Sequence, residues 1–456
     1  MRKIPFIPIL LTIAVAISIG LSYLLLFNPL SVYESINRST NKVETEVVQP
    51  TSSWKLADVL GPTAMVAYDG HGYYESRDLT ALNSLLQALA SEPTEIQDIT
   101  VEKQASLWQQ LVQQKHLELT FISAVPVNAL QSYFTLREGR NLAYEIDRLI
   151  WLESEPTKLY LVNSSEQSYL VVTIKQQESL PQLYQATLQG TEVEQVVVKQ
   201  GVTYLPKKAV TLASEWYTLR KRSESKFLNT FFGSANYSIT DTTNNNERKY
   251  KTYNLELDWF TDTQHYVAKS ETYQNRAANT TTQLLLDSFS ELEKYEQWNF
   301  GVRYMTTSSH QLVYRRLLNS YPIVANGTID YGATWFEMTP KVTKFSGNLL
   351  ELRAHVADKS QPVTLATAQE VMKTLAEQGV SLFDIDRIFI AYEWQKETEN
   401  LQLVQLLPKW YIDYQGRSFS LEQVKDGTLK EWLSQKQQAS KEAQLDPNRQ
   451  HSGGDE

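Results

Sequence analysis

Hydrophobic and polar positions change pattern several times along this chain, and the first pattern is the longest. Ile4 to Tyr33 is an unbroken run of uncharged residues behind Arg2 and Lys3. Its apolar centre, Ile9 to Phe27, would span about 28 Å as a helix rising ~1.5 Å per residue, close to the ~30 Å hydrocarbon layer of a bilayer. Backbone amides in lipid must be satisfied within the segment, so the pattern predicts a transmembrane helix over 9–28, ended by Asn28-Pro29. Two basic residues precede it, and the residues after Tyr33 are mixed and slightly acidic. This places residues 1–8 in the cytosol and everything beyond the helix outside the cell membrane, as a single-pass signal anchor. A cleaved signal peptide would carry a shorter apolar core of ~7–15 residues with small residues at its end. Here Ala14 and Ala16 stand mid-run, and the exit reads Leu24-Leu25-Leu26-Phe27.

Residues 34–53 are polar, with Gln49-Pro50-Thr51-Ser52-Ser53, and 29–53 is read as a tether. Globular patterning begins at Trp54. Leu56, Val59 and Leu60 are spaced as one helical turn stopped by Gly61-Pro62; Thr63 to Tyr68 reads as a strand closed by Asp69-Gly70. Leu79, Leu82, Leu85, Leu86 and Leu89 put apolar side chains on one face of a helix over 78–91, and 104–113 is similar. Residues 117–124, 148–152, 158–162 and 169–174 are strand-like. Tyr204-Leu205-Pro206-Lys207-Lys208 marks a boundary, giving an N-terminal external domain over 54–208.

Beyond it, Phe227, Leu228, Phe231 and Phe232 lie on a helix, and alternating Tyr253, Leu255, Leu257 and Trp259 form a half-buried antiparallel strand. A helix over 284–295 and strands over 300–305 and 311–318 lead to Tyr321-Pro322-Ile323-Val324. A comparable order follows: a strand over 348–356, a helix over 366–377, strands over 385–392 and 401–406, then Pro408 to Tyr414. The expected division is therefore a second α+β domain over 209–325 and a similar third over 326–433. Residues 434–456, rich in Gln, Lys and Gly without periodicity, are expected to be a disordered tail. The fold class is α+β: one N-terminal transmembrane helix and a three-domain ectodomain with antiparallel sheets.

Composition narrows the function. Without the charges of Arg2 and Lys3, the formal net of −9 becomes −11 on the external part, which argues against nucleic acid as partner. There is no cysteine, so neither disulfides nor thiol chemistry are available. A cysteine-free external chain suits a Gram-positive surface. The six histidines, at 71, 116, 265, 310, 355 and 451, lack metal-ligand spacing; no nucleophile elbow or phosphate loop appears. Asp384 and Asp386 flank Ile385 at a strand entrance beside Arg387, a poor setting for a glycosidase dyad. No catalytic residue, cofactor, metal or small-molecule substrate is expected. Paired aromatics such as Tyr73-Tyr74, Phe231-Phe232, Trp259-Phe260 and Trp410-Tyr411 read as sheet core, the alternative being a cell-surface glycan- or peptidoglycan-binding or wall-processing protein.

The anchor carries one further pattern. Ala14, Ser18 and Ser22 recur every four residues on one helix face, and Ala16 with Gly20 forms a second row. In lipid, small side chains let another helix approach closely, and serines can hydrogen-bond across. These five residues are the candidate partner face.

Several stretches, in order, resemble the YycH-type regulators, anchored external proteins linked to the WalK (YycG) cell-wall sensor kinase of low-GC Gram-positive bacteria. They are Leu56-Ala57-Asp58-Val59-Leu60-Gly61-Pro62-Thr63, Tyr204-Leu205-Pro206-Lys207-Lys208, Tyr321-Pro322-Ile323-Val324, Ile385 to Tyr392, and Leu407-Pro408-Lys409-Trp410-Tyr411. Ala391 departs from the glycine expected before the tyrosine. The resemblance implies a two-component-system regulator without catalytic residues. It also implies a membrane complex with that sensor histidine kinase and a YycI-like single-pass partner, which shares the second and third domains.

Overall fold

Lys55 opens the first described element, helix Leu56–Leu60, by donating its amide to Asp58 Oδ2 at 2.9 Å. Gly61 and Pro62 end it in extended backbone, and strand Ala64–Tyr68 follows. The computed structural model describes residues 55–445 except 137–141, 272–279, 297–300, 397–401 and shorter interruptions, all within one unit, Val47–Glu456. The expected anchor over 9–28 and tether over 29–53 lie outside the described residues. Among the described residues no helix is long and apolar enough to cross a membrane.

Local signals explain the early elements. Asp78 Oδ1 accepts from the amides of Thr80 and Ala81, capping helix Leu79–Ser91, whose Leu82, Leu85, Leu86 and Leu89 are buried. Asp69 Oδ1 accepts from His71 and Gly72 while Gly70 takes φ +96°, so His71 is a turn residue. Eight antiparallel strands form the first sheet. Their order is Gly201–Pro206, Thr191–Val198, Tyr73–Ser76, Ala64–Tyr68, His116–Pro126, Glu145–Leu152, Lys158–Asn163 and Ser168–Thr173.

The second sheet has fifteen strands and runs from Ser238–Thr242 to Leu350–His355. Its longest pairing is Ile385–Lys396 with Leu403–Tyr414. Tyr321–Ala325 runs parallel to Ile385–Lys396; the sheet's other pairings among the described residues are antiparallel. The class is mixed α+β with antiparallel sheets. Pro408 sits inside Leu403–Tyr414, which is one strand rather than a strand ending at Leu406. Its outer edge pairs with Thr211–Lys221 up to Leu406 and with Arg417–Ser420 from Tyr411, so the proline, lacking an amide donor, falls between two partners.

Three further local expectations are corrected. Tyr253 is 82% exposed, because the strand starts only at Leu255 and Tyr253 stands in the turn before it. The segment expected as one strand over 348–356 belongs to two, Val342–Asn348 and Leu350–His355. Of the tail expected to be disordered over 434–456, the part up to Leu445 continues helix Thr428–Leu445, and 446–456 lie outside the described residues. Ala439, Lys441, Glu442, Ala443 and Gln444 are good helix formers, and propensity extends a helix whose apolar periodicity has already stopped.

The main core is continuous between the sheets. Leu60, Leu85 and Leu119 from the first part share one apolar cluster with Trp259, Leu285, Tyr304 and Phe336 from the second. A second cluster joins Val196, Val198 and Leu205 to Val371, Ile388, Trp410 and Phe419. An apolar junction of this kind resists the relative motion that is the default for polar, loosely packed domains.

Candidate functional site at the seam between the sheets

Four basic residues bind the two sheets together. Arg77, after strand Tyr73–Ser76, lies over the Tyr321 ring at 4.6 Å, while Ser320 Oγ donates to the Arg77 carbonyl at 3.1 Å. Ser320 is held there by a two-residue turn in which Asn319 and Ser320 have φ +49° and +68°, joining Gln311–Leu318 to Tyr321–Ala325. Arg387 grips Asp413 Oδ2 with Nε at 2.8 Å and Nη2 at 2.7 Å. Its Nη1 reaches into the first sheet, to the Ile122 carbonyl at 3.1 Å and Ser123 Oγ at 2.7 Å. Lys199 donates its amide to the Ile385 carbonyl at 2.9 Å and places Nζ 3.2 Å from Asp386. Arg303 gives Nη2 to the Pro62 carbonyl at 3.4 Å.

Between these contacts lies a cleft of about 450 Å³, lined among others by Arg77, Phe121, Arg148, Lys199, Tyr204 and Phe389. One wall is a buried charge network. Arg148 Nη1 lies 2.8 Å from Glu118 Oε2, Tyr204 Oη donates to Glu118 Oε1 at 2.9 Å, and His116 Nε2 is 3.0 Å from the same oxygen. Burial alone would raise the Glu118 carboxyl. The Arg148 charge, with His116 and Tyr204 as further partners, holds it below its ordinary value instead. Burial and Glu118 together push the Tyr204 phenol well up.

The charged groups along the seam are paired with one another. In a second cleft of about 510 Å³, Asp330 holds Arg315 at 2.7 Å, Asp413 holds Arg387 and Asp386 holds Lys199, so these carboxylates are committed to ion pairs. Among the described residues no group of three or more His, Asp or Glu could hold a metal ion. Of the paired aromatics, Phe231, Phe232 and Trp259 are buried in the core, Tyr73, Tyr74 and Phe260 are half-buried, and Trp410 and Tyr411 each line one of the two clefts, Tyr411 donating to Glu393 Oε2 at 2.7 Å.

The motifs singled out in the sequence meet here. Leu56 to Thr63 delivers Pro62 to Arg303, Tyr204 carries the Glu118 network, Tyr321 stacks on Arg77, and Ile385 to Tyr392 carries Asp386 and Arg387. The candidate partner face of Ala14, Ala16, Ser18, Gly20 and Ser22 lies outside the described residues. Sequence reasoning missed Arg77, Arg148, Lys199 and Arg303. A signal for one of them existed: Arg303 stands between Val302 and Tyr304-Met305 in an apolar stretch, which marks a buried charge in need of a partner.

Comparison with known proteins decides the lineage. The model described as YycH protein, N-terminal domain, matches residues 6–190, and the YycH protein, C-terminal domain, matches residues 200–426. The chain belongs to the YycH family. Among solved structures, YycH from Bacillus subtilis matches with a TM-score of 0.66 and 16% identity, over 82% of this chain and 98% of that one, a likeness of fold. None of the curated proteins matches the sequence. YycH membership fits a regulator in the YycG/WalK system, and the YycH family is a regulatory one rather than a known family of enzymes.

Proposed function

We propose that this YycH-family chain is a non-enzymatic, single-pass regulator of a WalK/YycG-type sensor histidine kinase in cell-wall homeostasis, working beside a YycI-type partner. Family membership carries the reading, because the matched residues 6–190 and 200–426 take in the expected anchor and most of the external part. In this reading the N-terminus is cytoplasmic, helix 9–28 crosses the cell membrane, and residues beyond 53 lie outside. The external domains are 54–208, 209–325 and 326–433, the last two alike. Two runs of a helix followed by three strands, from Thr281–Leu292 and from Ala368–Glu377, support that likeness.

A regulator without chemistry acts by binding one kinase state better than another. Moving an equilibrium from 1:99 to 99:1 takes about 5.5 kcal/mol of differential affinity, within reach of helix packing plus external contacts. The arginine-bound seam supports this, since an external part that behaves as one body can pass a contact on one sheet to the other. The test is a membrane pull-down with the native anchor or an unrelated span. Loss of the kinase and the second single-pass protein on exchange is expected; an unchanged complex and signal would refute the anchor's role. Ser18→Phe and Ser22→Phe should change kinase output without changing external folding.

A further inference from the structure

Helix Leu56–Leu60 is the first described element after the expected anchor and tether, and it cannot stand alone. Isolated helices shorter than roughly 12–15 residues are marginal in water, so this five-residue helix exists because it is docked. Its apolar side, Ala57, Val59 and Leu60, is buried in the cluster that includes Val302 and Tyr304 of strand Val302–Ser308. Tyr133 Oη donates to the Ala57 carbonyl at 3.4 Å.

The polar side of the seat rests on Arg303, only 6% exposed. Its Nη1 donates to the Val302 carbonyl at 3.0 Å and its Nη2 to the Pro62 carbonyl, while Nε has no acceptor. The other buried arginines among the described residues, Arg148, Arg222, Arg315 and Arg316, each have a carboxylate within 4 Å; Arg303 has no such ion pair. Burial pushes Arg303 down to about 10, against weaker opposing effects from Tyr133 and Asp58. Burial of this charge costs the docked state hydration that Asp58, on the helix itself, and the Pro62 carbonyl offset only in part, and the guanidinium regains that hydration when its cover lifts.

We propose that helix Leu56–Leu60 is a releasable latch joining the membrane tether to the second sheet, with Arg303 setting how readily it lifts. The latch is a property of the fold; its use in signalling rests on the regulatory reading above. Displacement of the tether reaches Lys55 first, then the helix, and from there both strand Val302–Ser308, which shares its apolar cluster, and strand Ala64–Tyr68, which follows it in the chain.

Hydrogen exchange on the full-length chain in lipid nanodiscs tests it, comparing wild type with Arg303→Met and Leu60→Ala. Arg303→Met, which removes the buried charge but keeps an apolar side chain, should slow exchange over residues 55–62 by about tenfold. Leu60→Ala should speed it by about tenfold, and neither should alter exchange in Glu145–Leu152 or Leu403–Tyr414. Unchanged or faster exchange in Arg303→Met overturns the latch. So does a Leu60→Ala effect spread equally over all three segments, which would make the helix part of the global core. Kinase output of the two variants should move in opposite directions; unchanged output with the expected exchange pattern would refute the regulatory reading and leave the latch standing.

Discussion

Arg387 and Ser123 meet across the seam, Nη1 to Oγ at 2.7 Å, while the same guanidinium holds Asp413 in its own sheet. One planar fork thus satisfies a buried carboxylate and a hydroxyl of the opposing sheet, which a lysine's point charge could not do. Arg387→Ala leaves Asp413 buried without its base and should cost about 3–5 kcal/mol. Ser123→Ala removes one hydrogen bond of several and should cost about 1 kcal/mol. Urea unfolding of the full-length protein checks the ratio; equal effects would mean that the bond across the seam, not the buried carboxylate, dominates.

Acid should weaken the protein through Glu118. Its carboxyl is held below the ordinary value of 4.5 in the folded state. Its stabilisation is therefore complete above that value and is lost as pH falls through the lower folded value. Glu118→Gln should flatten this part of the acid-unfolding curve and lower stability at neutral pH by about 3–5 kcal/mol, because Arg148 loses its closest carboxylate partner. Unfolding followed by circular dichroism from pH 7 down to about pH 3 measures both effects.

Trp259 is fully buried in the cluster that spans both sheets. Trp259→Ala should cost about 3–5 kcal/mol and lower the melting temperature in one transition. Two separate transitions would show that the two halves of the core melt independently.

Gln415 and Gly416 turn strand Leu403–Tyr414 into Arg417–Ser420 with φ +50° and +80°. Gly416→Ala puts a side chain into the left-handed region and should cost about 1–2 kcal/mol. Tyr253→Ser, at an exposed turn, should stay within about 0.5 kcal/mol. Thermal melts of the two variants side by side test the contrast.

Much of the local structure is legible in the residues. Leucine spacing after Asp78 specifies helix Leu79–Ser91 together with its buried face, and the match to the family follows motifs already visible in order. Strand Thr211–Lys221 was not legible. Glu215, Arg220 and Lys221 blur its alternation, and it is made a strand by pairing with Leu403–Tyr414, nearly two hundred residues away. Helix Thr428–Leu445 escaped for the opposite reason, since propensity there acts without an apolar stripe.

The sequence by itself determined which side chains must leave water and with what period, hence most of the helices and part of the strands, the absence of cysteine chemistry and the family. Only the tertiary structure decided which buried faces meet, and so that Arg387 finds Ser123, Arg77 finds Tyr321 and Arg303 comes to lie under Pro62 with no carboxylate in ion-pair range. The physical reason is range. Periodicity records how each segment lies against an apolar surface, whereas the partner is chosen by the packing of the whole chain, on which no local pattern carries information.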